Sequence, residues 1–387
     1  MIEKKRDVEL RERFNMSKEN NGFAKEIARP HTVKKFDLIE AYTKEWALKL
    51  LNYGKCEGVV FIDCMCNNGV YVSEQGEEIY GTPIRVARLL SEIMKNYPTK
   101  RALLLFNDLE NCKIEELKTH LPQDTANFVI KTYSGDGNEL LKEIDFTGSS
   151  LNYLLLYDPY DASIDWDALL PFLRNWGEVI INHMVLDSVR SVSQVKRKKA
   201  ISKYEQTYLA NIVDLVNFKN DKESFEKRIQ DIIFTSREEN DPKYYVSSFP
   251  FFNSKNSVVY NLIHCSGHIE GLKLIKKVVW KTFGGKSSAK DRRGMENQMT
   301  FDFDNPGALT ATTDEYCYSV KDIAKYLQDL YKKEGEVSLS DIWNTLDEHP
   351  VFPSDGFKTQ IKNEIKSIYG ARIRQTSIIF IDKDDNQ

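Results

Sequence analysis

Four aspartates, Asp63, Asp108, Asp136 and Asp158, each follow an apolar run in the first half of the chain. Runs such as VVFI and LNYLLLY are typical of buried parallel strands. In open α/β sheets the carboxyl ends of such strands form the ligand-binding edge, where carboxylates accept hydrogen bonds from sugar hydroxyls and amino groups. The pattern therefore predicts a site for a nucleoside-like ligand at this edge.

The loop after the first of these strands reads FIDCMCNNG and is closed by Gly69. In nucleotide-type sites the backbone of such a loop approaches the ligand, and a nearby helix N-terminus donates N–H groups. Asn67 can adopt the left-handed conformation that a tight loop needs. We predict that Asp63, Asn67 and Gly69 bind a cofactor. An ordinary strand-turn-helix is the alternative interpretation.

The next two aspartates have separate predicted roles. Asp108 follows LLLF and is predicted to accept hydrogen bonds from ribose hydroxyls; alternatively it is a solvated acid at a strand end. Asp136, in SGDGNELL, is predicted to hold an adenine amino group. The alternative for Asp136 is an N-cap of the helix that follows.

The step Asp158-Pro159-Tyr160 combines a hydrogen-bond acceptor, a rigid proline and a flat aromatic ring. That combination suits a planar amine or base as substrate. It differs by one residue from the Asx-Pro-Pro-aromatic loop of amino-group methyltransferases, in which the aromatic ring stacks on the base. We predict that these three residues orient the reacting group. A proline turn is the alternative.

Histidines give weaker signals. His183 ends a predicted strand and is a possible general base or substrate ligand, although a lone histidine is more often structural. His264 and His268 flank Cys265, and their spacing fits a metal only if both lie on one helix. They straddle a predicted strand end, so we predict no metal site.

Composition sets further limits. The 387 residues are enough for two domains, and the net charge of −4 gives no whole-chain case for nucleic-acid binding. The six cysteines form no CxxC pair, which favours reduced thiols over a disulfide framework. The charged start MIEKKRDVELRERF is no secretory signal, and no apolar run is long enough for a membrane helix. A soluble cytoplasmic protein is expected.

The elements that would position the site alternate between strand and helix. Five strands are predicted at Val59–Asp63, Ala102–Asp108, Phe128–Thr132, Tyr153–Tyr157 and Glu178–Asn182. The intervening helices are predicted at Pro83–Tyr97, Ile114–Leu121, Gly137–Ile144 and Trp166–Trp176. This order predicts an α/β fold with a doubly wound, mostly parallel, Rossmann-like sheet.

Other segments are assigned by composition. Residues 1–30 are predicted to be an N-terminal extension, and 186–240 a helical insertion within an α/β domain spanning 31–283. Tyr244–Phe252 and Ser257–Ser266 are predicted to add an antiparallel hairpin, before a helix at Ile269–Phe283. Residues 284–315 are predicted to be a linker.

Residues 316–387 are predicted to form a second domain. Three helices at Ser319–Lys333, Ser338–Glu348 and Pro353–Tyr369 precede two short strands within Ala371–Asp382, which is the winged-helix order. Ser338 and Ser354 are candidate N-caps of the second and third of these helices. Lys358, Lys362 and Lys366 recur every four residues on the third helix and form one basic stripe. Such a stripe is suited to nucleic-acid phosphates; a solvated helix face is the alternative.

In order and spacing, these segments resemble the three-Cys-motif partner family, bacterial and phage proteins built on a class I S-adenosylmethionine (SAM) methyltransferase fold. The matching motifs are His31-Thr32-Val33-Lys34-Lys35 with Tyr42 and Trp46, FIDCMCNNG, Gly81-Thr82-Pro83, FND, Asp158-Pro159-Tyr160, VIINHM and NSKNSVVYNLIHCSGHIEGLKLIKKVVW. The resemblance covers about residues 31–283.

The resemblance implies SAM as the cofactor and a three-Cys-motif protein as a partner. Together with the Asp158-Pro159-Tyr160 step and the lysine stripe, it makes a base or amine in nucleic acid the expected acceptor. One departure leaves a second hypothesis open. The family's loop usually runs Asp-x-Phe-Ala-Gly-x-Gly, and Asn67 stands here in place of a glycine. The alternative is a methyltransferase fold without catalysis that binds nucleic acid or a protein.

Overall fold

The description rests on a computed structural model. It covers residues 26–146, 149–184, 188, 192, 198–217, 222–237, 243–253, 257–288 and 317–381. The strands are β1 (Glu26–Ile27), β2 (Gly58–Asp63), β3 (Val70–Val72), β4 (Glu78–Tyr80), β5 (Arg101–Asp108), β6 (Phe128–Ser134), β7 (Leu151–Tyr157), β8 (Gly177–His183), β9 (Tyr245–Phe252), β10 (Val258–Ser266), β11 (Glu336–Ser338), β12 (Arg372–Ile373) and β13 (Ser377–Ile379).

The helices are α1 (Pro30–Leu51), α2 (Thr82–Met94), α3 (Asn111–Lys118), α4 (Gly137–Glu143), α5 (Trp166–Arg174), α6 (Lys198–Tyr208), α7 (Ile212–Asn217), α8 (Lys222–Thr235), α9 (Ile269–Thr282), α10 (Val320–Tyr331), α11 (Leu339–Glu348) and α12 (Lys358–Tyr369). Each of the five strands predicted for the parallel sheet and each of the four helices predicted between them has a counterpart here.

Seven strands form the main sheet in the order β6-β5-β2-β7-β8-β10-β9. Strands β6, β5, β2, β7 and β8 pair in parallel, and β10 pairs antiparallel with both β8 and β9. The predicted mostly parallel α/β sheet with an added hairpin is confirmed. The chain runs outward from β2 in one direction through β5 and β6, and in the other through β7 and β8, so the strand order reverses between β2 and β7.

Alternate residues of β2 feed two cores, one on each face of the sheet. Val59 and Phe61 point into a core with α1, α2, α3 and α9, whereas Val60 and Ile62 point into a core with α4 to α8. Every residue of β2 is buried. This follows from its central position, since a parallel strand covered by helices on both faces needs apolar residues throughout.

A small three-stranded sheet with the order β1-β3-β4 lies beside the main sheet and was not predicted. Its strands have two or three residues each. Segments this short carry too few residues for an alternating pattern to be recognised.

The insertion predicted at 186–240 contains α6, α7 and α8 in its described part; the rest lies outside the described residues. It packs against the start of α5, where Trp166 Nε1 donates to the carbonyl of Thr207 at 2.8 Å. Most of the linker predicted at 284–315 and of the extension predicted at 1–30 also lies outside the described residues.

The C-terminal unit contains α10, β11, α11, α12, β12 and β13, and its three strands form a sheet in the order β11-β13-β12. Ser338 caps α11 by accepting from the Asp341 N–H at 3.1 Å, as its sequence predicts. The prediction that the next helix begins near Pro353 is wrong, because α12 begins at Lys358. The Ser354 hydroxyl bonds to Asp347 instead of capping a helix.

The C-terminal unit packs directly on α9. The buried Lys276 Nζ donates to the carbonyls of Leu346, Asp347 and His349 at 2.6–2.8 Å, which satisfies the end of α11. Trp280 Nε1 donates to the Val351 carbonyl at 3.0 Å, and its ring lies against Phe357. Both units therefore share one hydrophobic core.

No helix in the described part of the chain is both long and apolar enough to cross a bilayer.

Candidate active site

A cleft of about 760 Å³ lies at the carboxyl ends of β2, β5, β6, β7 and β8. Open α/β sheets bind ligands where the strand order reverses, which here is between β2 and β7. The residues that the sequence predicted for the cofactor and acceptor line this cleft, apart from Gly69: Asp63, Asn67, Asp108, Asp136, Asp158, Pro159 and Tyr160. These residues come together from the ends of four strands, β2, β5, β6 and β7.

The loop after β2 is held by its neighbours. Asn67 has a φ of 55°, the left-handed conformation predicted for it, and its N–H donates to Asp108 Oδ2 at 3.0 Å. Asn67 Oδ1 accepts from the next N–H at 2.8 Å. Gly69 also has a positive φ of 71°, and a Cβ there would lie 3.0 Å from Ile84 and Pro83. Gly69 therefore shapes the loop without lining the cleft.

Asn107, for which no role was predicted, joins the loops of the same region by hydrogen bonds. Its buried side-chain amide donates to the carbonyls of Cys64 at 2.9 Å and Gly135 at 3.0 Å. Gly137 fits closely beside the loop, since a Cβ on it would lie 2.5 Å from the Cys64 carbonyl oxygen. The loops after β2, β5 and β6 thus form one packed wall of the cleft.

Asp108 ends β5 and faces the cleft with part of its carboxylate engaged. Besides Asn67, the Glu110 N–H donates to it at 3.0 Å, and Lys113 Nζ lies 3.8 Å away. A carboxylate has about four acceptor positions, so capacity for a ligand hydroxyl remains. Leu109 beside it is 74% exposed and lines the cleft, offering an apolar surface that the sequence reading missed.

Asp136 adopts the alternative role considered for it. Its Oδ1 accepts the Asn138 N–H at 2.8 Å and caps α4. The residue still lines the cleft, so capping and ligand contact are compatible.

Asp158 is held from two sides. Its Oδ2 accepts from Lys35 Nζ at 2.5 Å and its Oδ1 from Asn182 Nδ2 at 2.5 Å. Lys35 comes from α1, and its side chain is only 11% exposed. No role for Lys35 was predicted, because it lies 123 residues before its partner. The signal available was its place in the His-Thr-x-x-Lys motif.

Asn182, which also lines the cleft, has a buried acceptor without a partner in the described part of the chain. Asn182 is 3% exposed, and its Oδ1 has no hydrogen-bond partner among the described residues. A buried polar atom without a partner is costly, which favours a ligand that donates a hydrogen bond there.

Asp63 is buried beneath the cleft. Burial and the neighbouring Asp158 carboxylate raise the pKa of Asp63 to about 8. The Met65 N–H donates to it at 3.3 Å. A strongly raised carboxyl pKa in a cleft marks a functional region on physical grounds.

The two residues after Asp158 differ in exposure. Pro159 is buried, whereas Tyr160 is 87% exposed at the mouth of the cleft. An exposed ring there is free to stack on an incoming planar group.

The histidines lie outside this constellation. His183 is buried against Tyr208, with His183 Nε2 and the Tyr208 hydroxyl oxygen 2.8 Å apart, and burial lowers the pKa of His183 to about 3. His264 lies in β10 and His268 caps α9, so they do not share a helix. Among the described residues, no group of His, Cys, Asp and Glu is arranged to hold a metal ion.

The predicted lysine stripe lies on α12 of the C-terminal unit. Lys358 and Lys366 are exposed and Lys362 is half-buried, while Ile361 and Ile365 on the same helix are buried. Lys358 Nζ lies 5.5 Å above the ring of Trp343. The helix is thus amphipathic, with its basic face towards solvent.

No protein-family model matches the sequence, and a search of curated proteins gives no match. Solved structures similar to it include the O-methyltransferase TomG from Streptomyces achromogenes in complex with SAM. Identity is 13% and the TM-score 0.31, covering 59% of this chain and 77% of that one. Human methyltransferase-like protein 13, solved with S-adenosylhomocysteine (SAH), has 10% identity and a TM-score of 0.31, covering 65% and 92%.

A protein from Legionella pneumophila has 12% identity and a TM-score of 0.37, covering 64% of this chain and 92% of that chain. At these identities and TM-scores the likenesses carry no argument about this chain. The resemblance to the three-Cys-motif partner family stays a prediction.

Proposed function

We propose that the chain is a SAM-dependent methyltransferase whose acceptor is an amine or base in nucleic acid. The observation that carries the proposal is the strand order, together with the residues at its reversal point. Five strands that pair in parallel, with the antiparallel β10 inserted between β8 and the edge strand β9, form the arrangement of the class I methyltransferase fold that the sequence resembles. The cleft at the reversal point contains the predicted acids.

The residues present fit the cofactor. Asn67 and Gly69 hold the loop after β2 in left-handed turns, and Gly137 leaves the Cys64 carbonyl uncovered by a Cβ. We assign Asp108 to the ribose hydroxyls of SAM and Leu109 and Asp136 to its adenine. Asp63 and the Asn67 backbone are assigned to the remainder of the SAM molecule. SAM supplies an activated methyl group on a positively charged sulfur when it is bound.

The acceptor side of the cleft contains Asp158, Asn182 and Tyr160. Lys35 and Asn182 fix the direction of the Asp158 carboxylate, and the unpartnered Asn182 Oδ1 suits a donor such as an amino group. Tyr160 supplies the stacking surface. Methyl transfer depends mainly on alignment of acceptor and methyl group, which such fixed polar groups provide.

The C-terminal unit supports nucleic acid as the substrate class. Its order of helix, strand, helix, helix, strand and strand is that of a winged helix, and α12 is the third helix. In that motif the third helix enters the major groove. Lys358, Lys362 and Lys366 would contact phosphates, which position a duplex without reading its sequence. A three-Cys-motif protein as an additional partner follows from the family resemblance alone.

The test begins with calorimetric titration of SAM and SAH into the wild type and into Asp63→Ala. Asp167→Ala, an exposed carboxylate in the first turn of α5, is the matched control. We expect micromolar binding to the wild type and the control, and loss of binding in Asp63→Ala. Transfer of labelled methyl groups to nucleic-acid pools then tests the acceptor. A well-folded wild type that binds neither ligand would overturn the cofactor assignment and favour the non-catalytic binding fold.

A further inference from the structure

A second cleft, of about 910 Å³, lies at the opposite edge of the sheet, where β7 and β8 begin and β10 ends. It is a separate cavity from the proposed methyl-transfer site. Its volume is in the range of pockets that bind small molecules. Aromatic side chains line it, including Tyr53 and Trp176, which are 48% and 47% exposed.

Two buried donors in the lining have no partner. Trp46 is 2% exposed and Tyr244 is 8% exposed. Within the described part of the chain, neither Trp46 Nε1 nor the Tyr244 hydroxyl makes a hydrogen bond. Because a buried donor without a partner is unfavourable, both atoms favour a ligand that carries acceptors.

A carboxylate also lines this cleft. Glu178 Oε2 accepts hydrogen bonds from the Tyr42 hydroxyl and from His264 Nε2, whereas Oε1 accepts a long one from Ser266 at 3.4 Å. A Cβ on Gly271 would lie 2.5 Å from Glu178 Oε1, so a glycine is needed to leave room for this carboxylate. Glu178 is 13% exposed and keeps acceptor capacity for a ligand N–H.

Basic side chains lie in the same lining. Lys55 is exposed, and Arg174 donates to the carbonyl of Ser236 at 2.7 Å, a neutral partner that leaves its positive charge in place. Both lie within the lining of the cleft. They suit an anionic group on a ligand whose ring lies among the aromatic side chains.

We infer that this second cleft binds a guanine nucleotide. Guanine has two adjacent N–H donors that match a carboxylate, and its carbonyl matches the donor of Trp46, which packs on the same face of the sheet as Glu178. Adenine has no carbonyl and would turn an acceptor nitrogen towards Glu178. Uracil has carbonyls but a single ring N–H. The 5′-phosphate would meet Lys55 and Arg174, and the base would stack on Trp176.

The experiment titrates GMP, AMP and UMP into the full chain. We expect GMP to bind at least about tenfold more tightly than AMP, since a site that hydrogen-bonds a ligand group rejects analogues lacking it. Saturating SAH should leave GMP affinity unchanged. A short RNA that begins with guanosine distinguishes a free nucleotide from an RNA end as the ligand. If this RNA binds as tightly as GMP does, RNA ends also enter the cleft.

Two variants test the assignment of residues. Glu178→Gln should weaken GMP binding about tenfold or more and remove the preference over AMP. Trp176→Ala changes an exposed ring, so folding should be preserved, and it should weaken GMP about tenfold through lost stacking. Asp158→Asn, in the other cleft, is the control and should bind GMP normally. Absence of GMP binding at millimolar concentration, competition with SAH, or unchanged binding in both variants of the second cleft would overturn the proposal.

Discussion

The two clefts lie at opposite edges of one sheet and differ in which of their polar groups have hydrogen-bond partners within the protein. At the carboxyl edge, Asp158 and Asp108 already accept hydrogen bonds from side chains or backbone within the protein. At the amino edge, Trp46 and Tyr244 have no hydrogen-bond partner among the described residues. The aspartates of the first edge are oriented by the fold before a ligand binds, whereas an unpartnered donor of the second edge such as Trp46 Nε1 gains a partner only when a ligand enters.

The largest expected effect is a loss of methyl transfer at the carboxyl edge with binding at the amino edge unchanged. Asp158→Ala should lower methyl transfer by about 100- to 1,000-fold, because it removes a group that orients the acceptor. SAM binding should persist, and so should GMP binding at the other edge. Rates with labelled SAM and calorimetry on the same preparation measure both. Joint loss of transfer and SAM binding would contradict an acceptor role for Asp158.

Lys35 tests whether the carboxyl edge depends on its ion pair. Lys35→Met should lower transfer about 10- to 100-fold, since Asp158 loses the donor that fixes Oδ2. Lys35→Arg keeps a cation and should recover part of the rate. Because Lys35 acts through Asp158, the double variant with Asp158→Ala should be no slower than Asp158→Ala alone. Additive losses would mean that Lys35 contacts the substrate independently.

The lysine stripe adds a third region to the comparison. Changing Lys358, Lys362 and Lys366 to Gln should weaken duplex binding about tenfold and reduce its salt dependence, because up to three phosphate contacts are lost. SAM and GMP binding should not change. Fluorescence anisotropy at several salt concentrations measures this.

A matched triple variant controls for net charge. It removes three lysines that pair with glutamates on their own helices in the α/β domain: Lys95, Lys118 and Lys142. Equal losses in both triples would mean that overall charge, and not α12, binds the duplex.

The last test concerns the pH dependence of stability at the carboxyl edge, not activity or binding. The folded pKa of Asp63 is raised to about 8 from an ordinary 3.8, so the folded state holds a proton that the unfolded state has lost in this window. The free energy of unfolding should therefore decrease as pH rises from 4 to 8, by at most about 1.4 kcal/mol per unit. Asp63→Asn should remove this slope. Urea unfolding of both proteins at pH 5 and pH 8 measures this slope. An equal change of the free energy of unfolding with pH in the wild type and in Asp63→Asn would contradict the prediction.

The two edges also differ in how far the sequence predicted them. Asp63, Asp108 and Asp158 follow apolar strands, and the topology of a parallel sheet brings strand ends together, so local patterns were sufficient. Trp46 comes from a helix, Glu178 from a strand, and Tyr244 from the segment before β9, and their proximity depends on packing that no local pattern encodes. Lys35 was missed for the same reason.

Other elements were missed or displaced for local reasons. Strand β11 has three residues, too few for a periodic signal, although it completes the C-terminal sheet. The start of α12 was placed too early because Ser354 looks like an N-cap, while its hydroxyl instead bonds to Asp347 of the preceding helix. A capping residue is recognised by its partner, and the partner is a tertiary property.

The ammonium group of Lys276 joins the two units by donating to three carbonyls, and this junction fixes the distance between α12 and the methyl-transfer cleft. A unit fastened in this way cannot swing as a tethered arm would. If α12 holds a duplex, the base that reaches Tyr160 lies at a constant offset from the phosphates under the lysines. The modified base would then be selected by its distance along the duplex from the phosphates that α12 binds, and not by the nucleotide sequence around it.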